Sequence, residues 1–165
     1  MTNLLEKVKN RLTGGGSTFE AALSAKVIRA DGRVEHLGVI SRKMVTTAFV
    51  NLLSTALQGT VGALLTFKYH DCGTGVGDEA VGDVALGTPY GGARAVGTQV
   101  AGASANIYKS VGTISFTSTL AITEHGLFSA SSSVTLMDRS KFAAINVNNG
   151  DSIEFTYNLT CTAGG

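Results

Sequence analysis

Residues 153–162 read IEFTYNLTCT and alternate apolar and polar side chains without interruption. Because successive side chains of a β-strand point to opposite faces, this pattern predicts a strand with one buried face. The predicted inward residues are Ile153, Phe155, Tyr157, Leu159 and Cys161. The preceding pattern, KFAAINV at residues 141–147, is joined to this strand through Asn149-Gly150, a turn pair typical of hairpins. We therefore expect residues 141–162 to form a β-hairpin.

Other segments upstream show the same β signature. Residues 25–40, AKVIRADGRVEHLGVI, contain two β-rich runs joined by Asp31-Gly32 and predict a hairpin. Residues 63–70, ALLTFKYH, predict a strand that leads into a glycine-rich segment. In residues 113–122 the apolar side chains Ile114, Phe116, Leu120 and Ile122 are expected to face one way, and the intervening serines and threonines the other.

One stretch has helical rather than strand periodicity. Apolar side chains recur at helical spacing from Met44 to Ala56, which predicts a core-facing helix of about four turns. Ser41 is the predicted N-cap and Gly59 the predicted C-terminal stop. The combined pattern predicts a mainly β protein: an antiparallel, jelly-roll-like sandwich with one core-facing helix.

The predicted domain organisation is an N-terminal arm at residues 1–17 and one β-rich domain at residues 18–165. The arm carries a short helical stripe formed by Leu4, Leu5, Val8 and Leu12, followed by Gly14-Gly15-Gly16-Ser17. The domain contains a long glycine-rich loop at residues 73–102. A connection of this length is far longer than usual, so we expect the loop to be disordered or fixed by something outside the fold.

Composition excludes several classes of protein. Charged residues make up 15% of the chain, whereas soluble domains average about 25%, so we expect partner subunits to cover part of its surface. The formal net charge of +1 does not suit a nucleic-acid-binding protein. The sequence contains no apolar stretch of transmembrane length and no signal-peptide pattern. We expect synthesis in a cytosol, where the two cysteines remain reduced.

The glycine-rich segment does not match a nucleotide site. Residues 71–102 contain nine glycines in 32 positions. A phosphate-binding P-loop requires a Gly-Lys pair, which the chain lacks, and a dinucleotide fingerprint requires a third glycine where Asp78 stands. Asp71, Asp78, Glu79 and Asp83 do not have the spacing of a calcium loop, so we interpret them as a solvated acidic loop.

Three histidines and two cysteines were considered as catalytic or metal-binding groups. His70 and Cys72 are expected to share one face of a strand, but no second ligand pair suggests zinc, since His36 and His125 are isolated in sequence. Burial as a structural thiol is the favoured interpretation of Cys72. Glu124 and His125 are predicted to face opposite sides near a bend, with His125 structural. We therefore expect no enzyme activity, metal or cofactor.

The segment ASANIYKSVGTISFTSTLAITEHGLFSASSSVTLMDRSKFAAINVNNGDSIEFTYNLTCTAGG, preceded by YHDCGTGVGDEA, resembles small virion proteins of tailed bacteriophages. The resemblance is greatest to capsid decoration, or cement, proteins and covers residues 69–165. It implies a β-rich, non-enzymatic structural protein, usually trimeric, that binds the outer capsid surface and stabilises the shell. The implied location is the virion, after synthesis in the host bacterial cytoplasm. The alternative is a receptor-binding tail-fibre or baseplate component.

The expected partners are the major capsid protein and further copies of the same chain in a homotrimer, with no nucleic acid and no membrane. Two segments are predicted to supply the interface. The arm would contribute Leu4, Leu5, Val8 and Arg11, and the glycine-rich loop would contribute Pro89, Tyr90, Gly91, Gly92 and Arg94.

Overall fold

The computed structural model describes residues 18–43, 45–58, 67–132 and 134–163 of the chain. These residues form nine strands and one helix, numbered here in chain order. The strands are β1 (Thr18–Ile28), β2 (Val34–Lys43), β3 (Tyr69–Gly73), β4 (Ala95–Val96), β5 (Thr98–Ala101), β6 (Ile107–Ser115), β7 (Leu120–Phe128), β8 (Leu136–Val147) and β9 (Ser152–Thr162). The helix, α1 (Thr47–Leu57), lies between β2 and β3 in sequence.

The strands form two antiparallel sheets. The β9 sheet has the order β2-β1-β9-β6-β5, and the β7 sheet has the order β4-β3-β7-β8. A shared hydrophobic core contains side chains from both sheets, among them Leu23 and Phe155 of the β9 sheet and Ile122 and Val147 of the β7 sheet. Within the described residues, the prediction of a mainly β protein with antiparallel sheets and one helix is confirmed.

Strand β9 lies at the centre of its sheet, between β1 and β6. The predicted alternation is confirmed for four of its inward positions: Ile153, Phe155, Tyr157 and Leu159 are buried. The prediction is wrong for Cys161, which is exposed. Among the described residues, Leu159 is the last residue of β9 in the core between the sheets, so Cys161 lies beyond the core.

The predicted hairpin at residues 25–40 is confirmed. Strands β1 and β2 pair antiparallel, and Gly32 adopts a φ of 86°, a left-handed conformation that favours glycine. The turn is closed by hydrogen bonds from the Arg29 amide to the Arg33 carbonyl and from the Gly32 amide to the Arg29 carbonyl. The local sequence was sufficient to predict this hairpin because both of its strands belong to the same sheet.

The predicted hairpin at residues 141–162 is wrong. Gly150 does occupy a turn, with φ of 88°, but β8 belongs to the β7 sheet and β9 to the β9 sheet. The turn therefore carries the chain across the core instead of pairing its two arms. It is bonded to other segments: Gly150 donates to the Phe116 carbonyl, and the Asp151 carboxylate accepts from the Ala30 amide at 2.9 Å and from Arg29 at 3.0 Å.

The helix is shorter than predicted. It begins after Thr46, whose side chain accepts a hydrogen bond from the Phe49 amide and is the N-cap. Ser41, the predicted N-cap, instead lies in β2, because the strand continues to Lys43. The predicted stop at Gly59 lies outside the described residues, and the helix ends at Leu57.

The helix faces the core through Phe49, its buried residue. The Phe49 ring packs edge-on against Phe67 and Phe19, with centroid distances of 5.4 and 6.3 Å. The predicted arm at residues 1–17 lies outside the described residues. Strands β4 and β5 fall within the segment predicted as a loop at residues 73–102, which leaves residues 74–94 as the irregular part.

Replacing Phe155 with alanine should lower the free energy of unfolding by about 3–5 kcal/mol, because the ring is buried and packs against His125 and Phe142. Urea denaturation of Phe155→Ala would measure this loss. The matched control is Thr156→Ala on the opposite face of β9, which should cost less than about 1 kcal/mol. Equal losses in the two variants would contradict the observed orientation of the strand.

Candidate functional site

A buried carboxylate lies beneath the glycine-rich loop. Glu124 projects from β7 and is buried, and its oxygens accept three backbone hydrogen bonds from the loop. Thr88 donates to Oε1 at 2.7 Å, Gly75 to Oε1 at 3.1 Å and Gly87 to Oε2 at 3.0 Å. Both ends of the loop are therefore bonded to one side chain of the β7 sheet.

The partner of this carboxylate is Arg139 of β8. Its Nε donates to Glu124 Oε2 at 2.8 Å, and its Nη1 donates to Asp83 Oδ2 at 3.0 Å. Nη1 and Nη2 also donate to the carbonyl oxygens of Asp78 and Gly77, at 3.2 and 3.1 Å. One guanidinium thus holds the β7 sheet and the middle of the loop together, using the fork geometry specific to arginine.

Both groups of the pair remain charged. Burial acts to raise the pKa of Glu124, but the amides of Thr88 and Gly87 and the Arg139 guanidinium outweigh it and hold that pKa below its ordinary value. Burial acts to lower the pKa of Arg139, but its hydrogen bonds to Glu124 and Asp83 raise that pKa. The cluster is therefore an ion pair at neutral pH.

Three glycines of this loop lie where the backbone is too close to neighbouring groups to leave room for a side chain. A Cβ on Gly75 would lie 2.4 Å from Glu124 Oε1, and a Cβ on Gly73 would lie 2.2 Å from the Thr88 carbonyl oxygen. A Cβ on Gly87 would lie 2.9 Å from Arg139 Nη2. These positions require glycine because the loop backbone itself coordinates the buried charges. The expectation that the loop needs fixation from outside the fold is therefore wrong.

The predicted interface residues divide into three groups. Leu4, Leu5, Val8 and Arg11 lie outside the described residues. Pro89, Gly91 and Gly92 are exposed on the loop. Tyr90 and Arg94 have contacts within the protein.

Tyr90 donates its amide to the Cys72 carbonyl and packs its ring 5.3 Å from that of Phe116. The Arg94 guanidinium stacks 3.7 Å from the centre of the Phe128 ring and lies 3.4 Å from Asp71 Oδ2. Since both side chains have partners on the body of the fold, they anchor the end of the loop.

A second polar cluster involves two histidines that are distant in sequence. His70 Nδ1 lies 2.9 Å from His125 Nε2, and His70 Nε2 lies 2.9 Å from the hydroxyl of Ser110. His125 is isolated in the sequence but lies beside His70 in the fold, because β3 and β7 pair and place Cys72 opposite His125. Burial lowers the pKa of His70 to about 4 and holds that of His125 well below its ordinary value, so both rings are neutral at pH 7.

Cys72 and two of the acidic residues that the sequence offers as reactive or metal-binding groups are also buried or bonded within the protein. Burial of Cys72 is confirmed, and burial raises the pKa of its thiol well above the ordinary value. The interpretation of the acidic residues as a solvated loop is wrong for Asp71, which is buried in β3, and for Asp83, which binds Arg139. Among the described residues, no three His, Cys, Asp or Glu side chains gather where they could hold a metal ion.

The predicted bend at Glu124 corresponds to a register shift between Ile122 and Glu124 in the pairing of β7 with β8. The sequence analysis nevertheless missed the Glu124–Arg139 pair. One signal was present in the sequence: Glu124 is a charge within a predominantly apolar strand pattern, LAITEHGLF. A charge at a buried strand position requires a partner, and here the partners are 15 residues apart.

Comparison with protein-family models, curated proteins and solved structures gives no match to this chain. In the part of the chain that the structure describes, no helix is both long enough and apolar enough to span a membrane.

Replacing Gly75 with alanine should lower the free energy of unfolding by about 1–3 kcal/mol, because the added methyl group meets the Glu124 carboxylate. The matched control is Gly82→Ala in the same loop, where a Cβ meets nothing within 4 Å. That change should be neutral or stabilise by about 0.4–1 kcal/mol. Thermal and urea denaturation would measure both. Equal effects of the two substitutions would contradict a loop held by the buried pair.

Proposed function

We propose that this protein is a non-enzymatic structural component of a tailed-bacteriophage virion that binds the outer capsid surface and stabilises the shell. The main observation behind the proposal is that the glycine-rich loop, held in place by hydrogen bonds, exposes apolar side chains. Val76, Val84 and Val81 are 78, 71 and 50% exposed, and the backbone between them is bonded to Arg139. Apolar side chains held outward in this way are typical of a protein-binding surface.

The order of the loop in the free protein favours its binding to a partner. A flexible loop loses conformational freedom when it docks, and that loss subtracts from the affinity. Here the hydrogen bonds to Glu124 and Arg139 order the loop before any partner arrives. Most of the contact free energy is then available for attachment to a neighbouring subunit.

The loop also borders a concavity that a neighbour could enter. A cavity of about 760 Å³ lies between the loop and the start of β1, and its lining includes Phe19, Ala21, Arg42, Val81 and Arg139. It combines apolar surface with charged groups, as protein-binding surfaces do. The low overall content of charge supports the same proposal, since surface covered by partners needs few charges.

The placement of the reactive side chains supports a structural role over an enzymatic one. His70, His125, Cys72 and Glu124 are buried, and the histidines and Glu124 bond to groups of the protein itself. A catalytic group must reach its substrate, which these side chains do not do in this arrangement. The jelly-roll-like topology and the helical arm at residues 1–17 belong to the proposal, with the arm adding contacts to the same partner.

A homotrimer is expected, because a trimer would cover surface that is under-charged for a monomer. Multi-angle light scattering at micromolar concentration should give three times the mass of the 16.9 kDa chain. A protein that stays monomeric both in solution and on the capsid would contradict this part of the proposal.

The loop surface can be tested with the double variant Val76→Ser/Val84→Ser. Losing two exposed apolar anchors should weaken binding to shells that lack the protein by at least about 10-fold, on the order of 1 kcal/mol or more of lost burial. Co-sedimentation with purified shells would measure the affinity. Val34→Ser is the matched control, since Val34 is 47% exposed on β2 in the β9 sheet.

Unchanged binding of the double variant would overturn the role of the loop. Binding of the unaltered protein to isolated tails or to host cells, with none to shells, would favour a tail-fibre or baseplate component instead.

A further inference from the structure

The two sheets are joined inside the core by a short polar chain. His70 belongs to β3 of the β7 sheet, and its Nε2 lies 2.9 Å from the hydroxyl of Ser110 on β6 of the β9 sheet. Its Nδ1 lies 2.9 Å from His125 Nε2. The His125 ring in turn packs on Phe155 of β9, with the ring centroids 4.6 Å apart. The pair therefore contacts both sheets through hydrogen bonds and through ring packing.

The His70 ring occupies a slot shaped for it by two glycines. A Cβ on Gly112 of β6 would lie 2.4 Å from His70 Cδ2, and a Cβ on Gly97 would lie 2.7 Å from the same atom. Both histidines are buried completely. A charged imidazolium in this slot would have protein atoms around it in place of water, so its desolvation would be uncompensated.

The hydrogen bonding opposes an added proton at the contact between the two rings and at His125 Nδ1, whereas at His70 Nε2, where the Ser110 hydroxyl can accept, only the loss of hydration opposes it. The contact between His70 Nδ1 and His125 Nε2 needs one nitrogen as donor and the other as acceptor. A proton added to the acceptor would set two N–H groups against each other. His125 Nδ1 is buried and has no hydrogen-bond partner among the described residues, so an N–H group there would be unsatisfied.

We propose that the His70–His125 pair is an acid-sensitive latch that holds the two sheets together and releases when either ring gains a proton. The proposal concerns the folded chain itself and is independent of the proposed function. The strands around the pair, β3, β6, β7, β8 and β9, carry these titratable or charged side chains: Tyr69, Asp71, Cys72, Tyr108, Lys109, Glu124, Asp138, Arg139, Lys141, Glu154, Tyr157 and Cys161.

None of these neighbours offers a counter-ion to the pair. Asp71 lies beside Arg94, and Glu124 is bonded to Arg139. Burial raises the pKa of Asp138 to about 7, and its Oδ1 accepts from Ser140. The hydrogen bonds of the histidine ring nitrogens run to each other and to Ser110.

The direction of the pH effect follows from proton linkage. In the unfolded chain a histidine has a pKa near 6.5, whereas in the folded protein the pKa of His70 is about 4 and that of His125 is also far below 6.5. The contribution of the two histidines to stability is therefore complete above pH 6.5 and is lost as the pH falls from 6.5 toward 4. Over that window each histidine should lower the folding equilibrium constant about tenfold per pH unit.

Asp138 acts in the opposite direction. Because its pKa is raised in the folded protein, the folded state holds a proton that the unfolded state releases, and stability from this group grows as the pH falls below 7. Variants that all keep Asp138 share its contribution to the pH dependence of stability. A difference between them therefore reports the contribution of the histidines.

The test is urea denaturation of the full chain at pH 7.5 and pH 4.5. The variant His125→Gln keeps a donor and acceptor near the position of Nε2 but removes one titrating group. Between the two pH values, its folding equilibrium constant should fall about 100-fold less than that of the unaltered protein. His36→Gln, at the exposed third histidine, should follow the unaltered protein. Return to pH 7.5 should restore the initial stability.

An equal fall of the folding equilibrium constant in His125→Gln and in the unaltered protein would overturn the proposal. Should His125→Gln fail to fold, ring nitrogen chemical shifts of the unaltered protein decide the question. At pH 5.5 both rings of the folded protein should be neutral. A protonated His70 or His125 in a protein that remains folded would overturn the proposal.

Discussion

The order of the glycine-rich loop depends on one constraint: the carboxylate of Glu124 is buried. A buried carboxylate is tolerated only when hydrogen bonds and an opposite charge replace the water it has lost. Three amides of the loop and the guanidinium of Arg139 fill that requirement. The loop and the β7 sheet therefore depend on each other: without the loop the carboxylate would be under-bonded, and without the carboxylate the loop would lose three of its backbone hydrogen bonds.

This dependence explains how a segment so rich in glycine can be ordered. Each glycine adds backbone freedom that folding must suppress, and an apolar core does little for a segment with few inward side chains. Bonds between backbone amides and a buried charge are directional and strong, so a few of them replace a larger apolar contact. The exposed valines then have fixed positions, which is the property that the proposed docking surface requires.

The second internal cluster has a different chemical character. Glu124 and Arg139 are charged and balance each other, whereas His70 and His125 are neutral and have no counter-ion among the described residues. The charged pair ties a loop to one sheet, and the neutral pair links one sheet to the other. Both clusters lose stability as the pH falls, because the pKa values of Glu124, His70 and His125 are all lowered in the folded protein. They differ in the pH at which the loss begins: the histidines lose their contribution below pH 6.5, whereas the ion pair persists until the pH falls below the ordinary pKa of a glutamate.

The sequence by itself determined the longer strands, the inward side of β9 from Ile153 to Leu159 and the turns at Gly32 and Gly150, since these follow from periodicity and from residues next to one another. It did not show β4 and β5, which lie in the segment predicted as a loop. It misplaced the N-cap at Ser41, where local propensity favoured a cap and continued pairing with β1 favoured a strand. Only the tertiary structure decided that β8 and β9 belong to different sheets, because alternation marks a buried face but does not name the partner strand. The same holds for His70 with His125, 55 residues apart, and for Glu124 with the loop amides: such contacts are made by strand pairing, and residues distant in sequence leave no local pattern to show that they will meet.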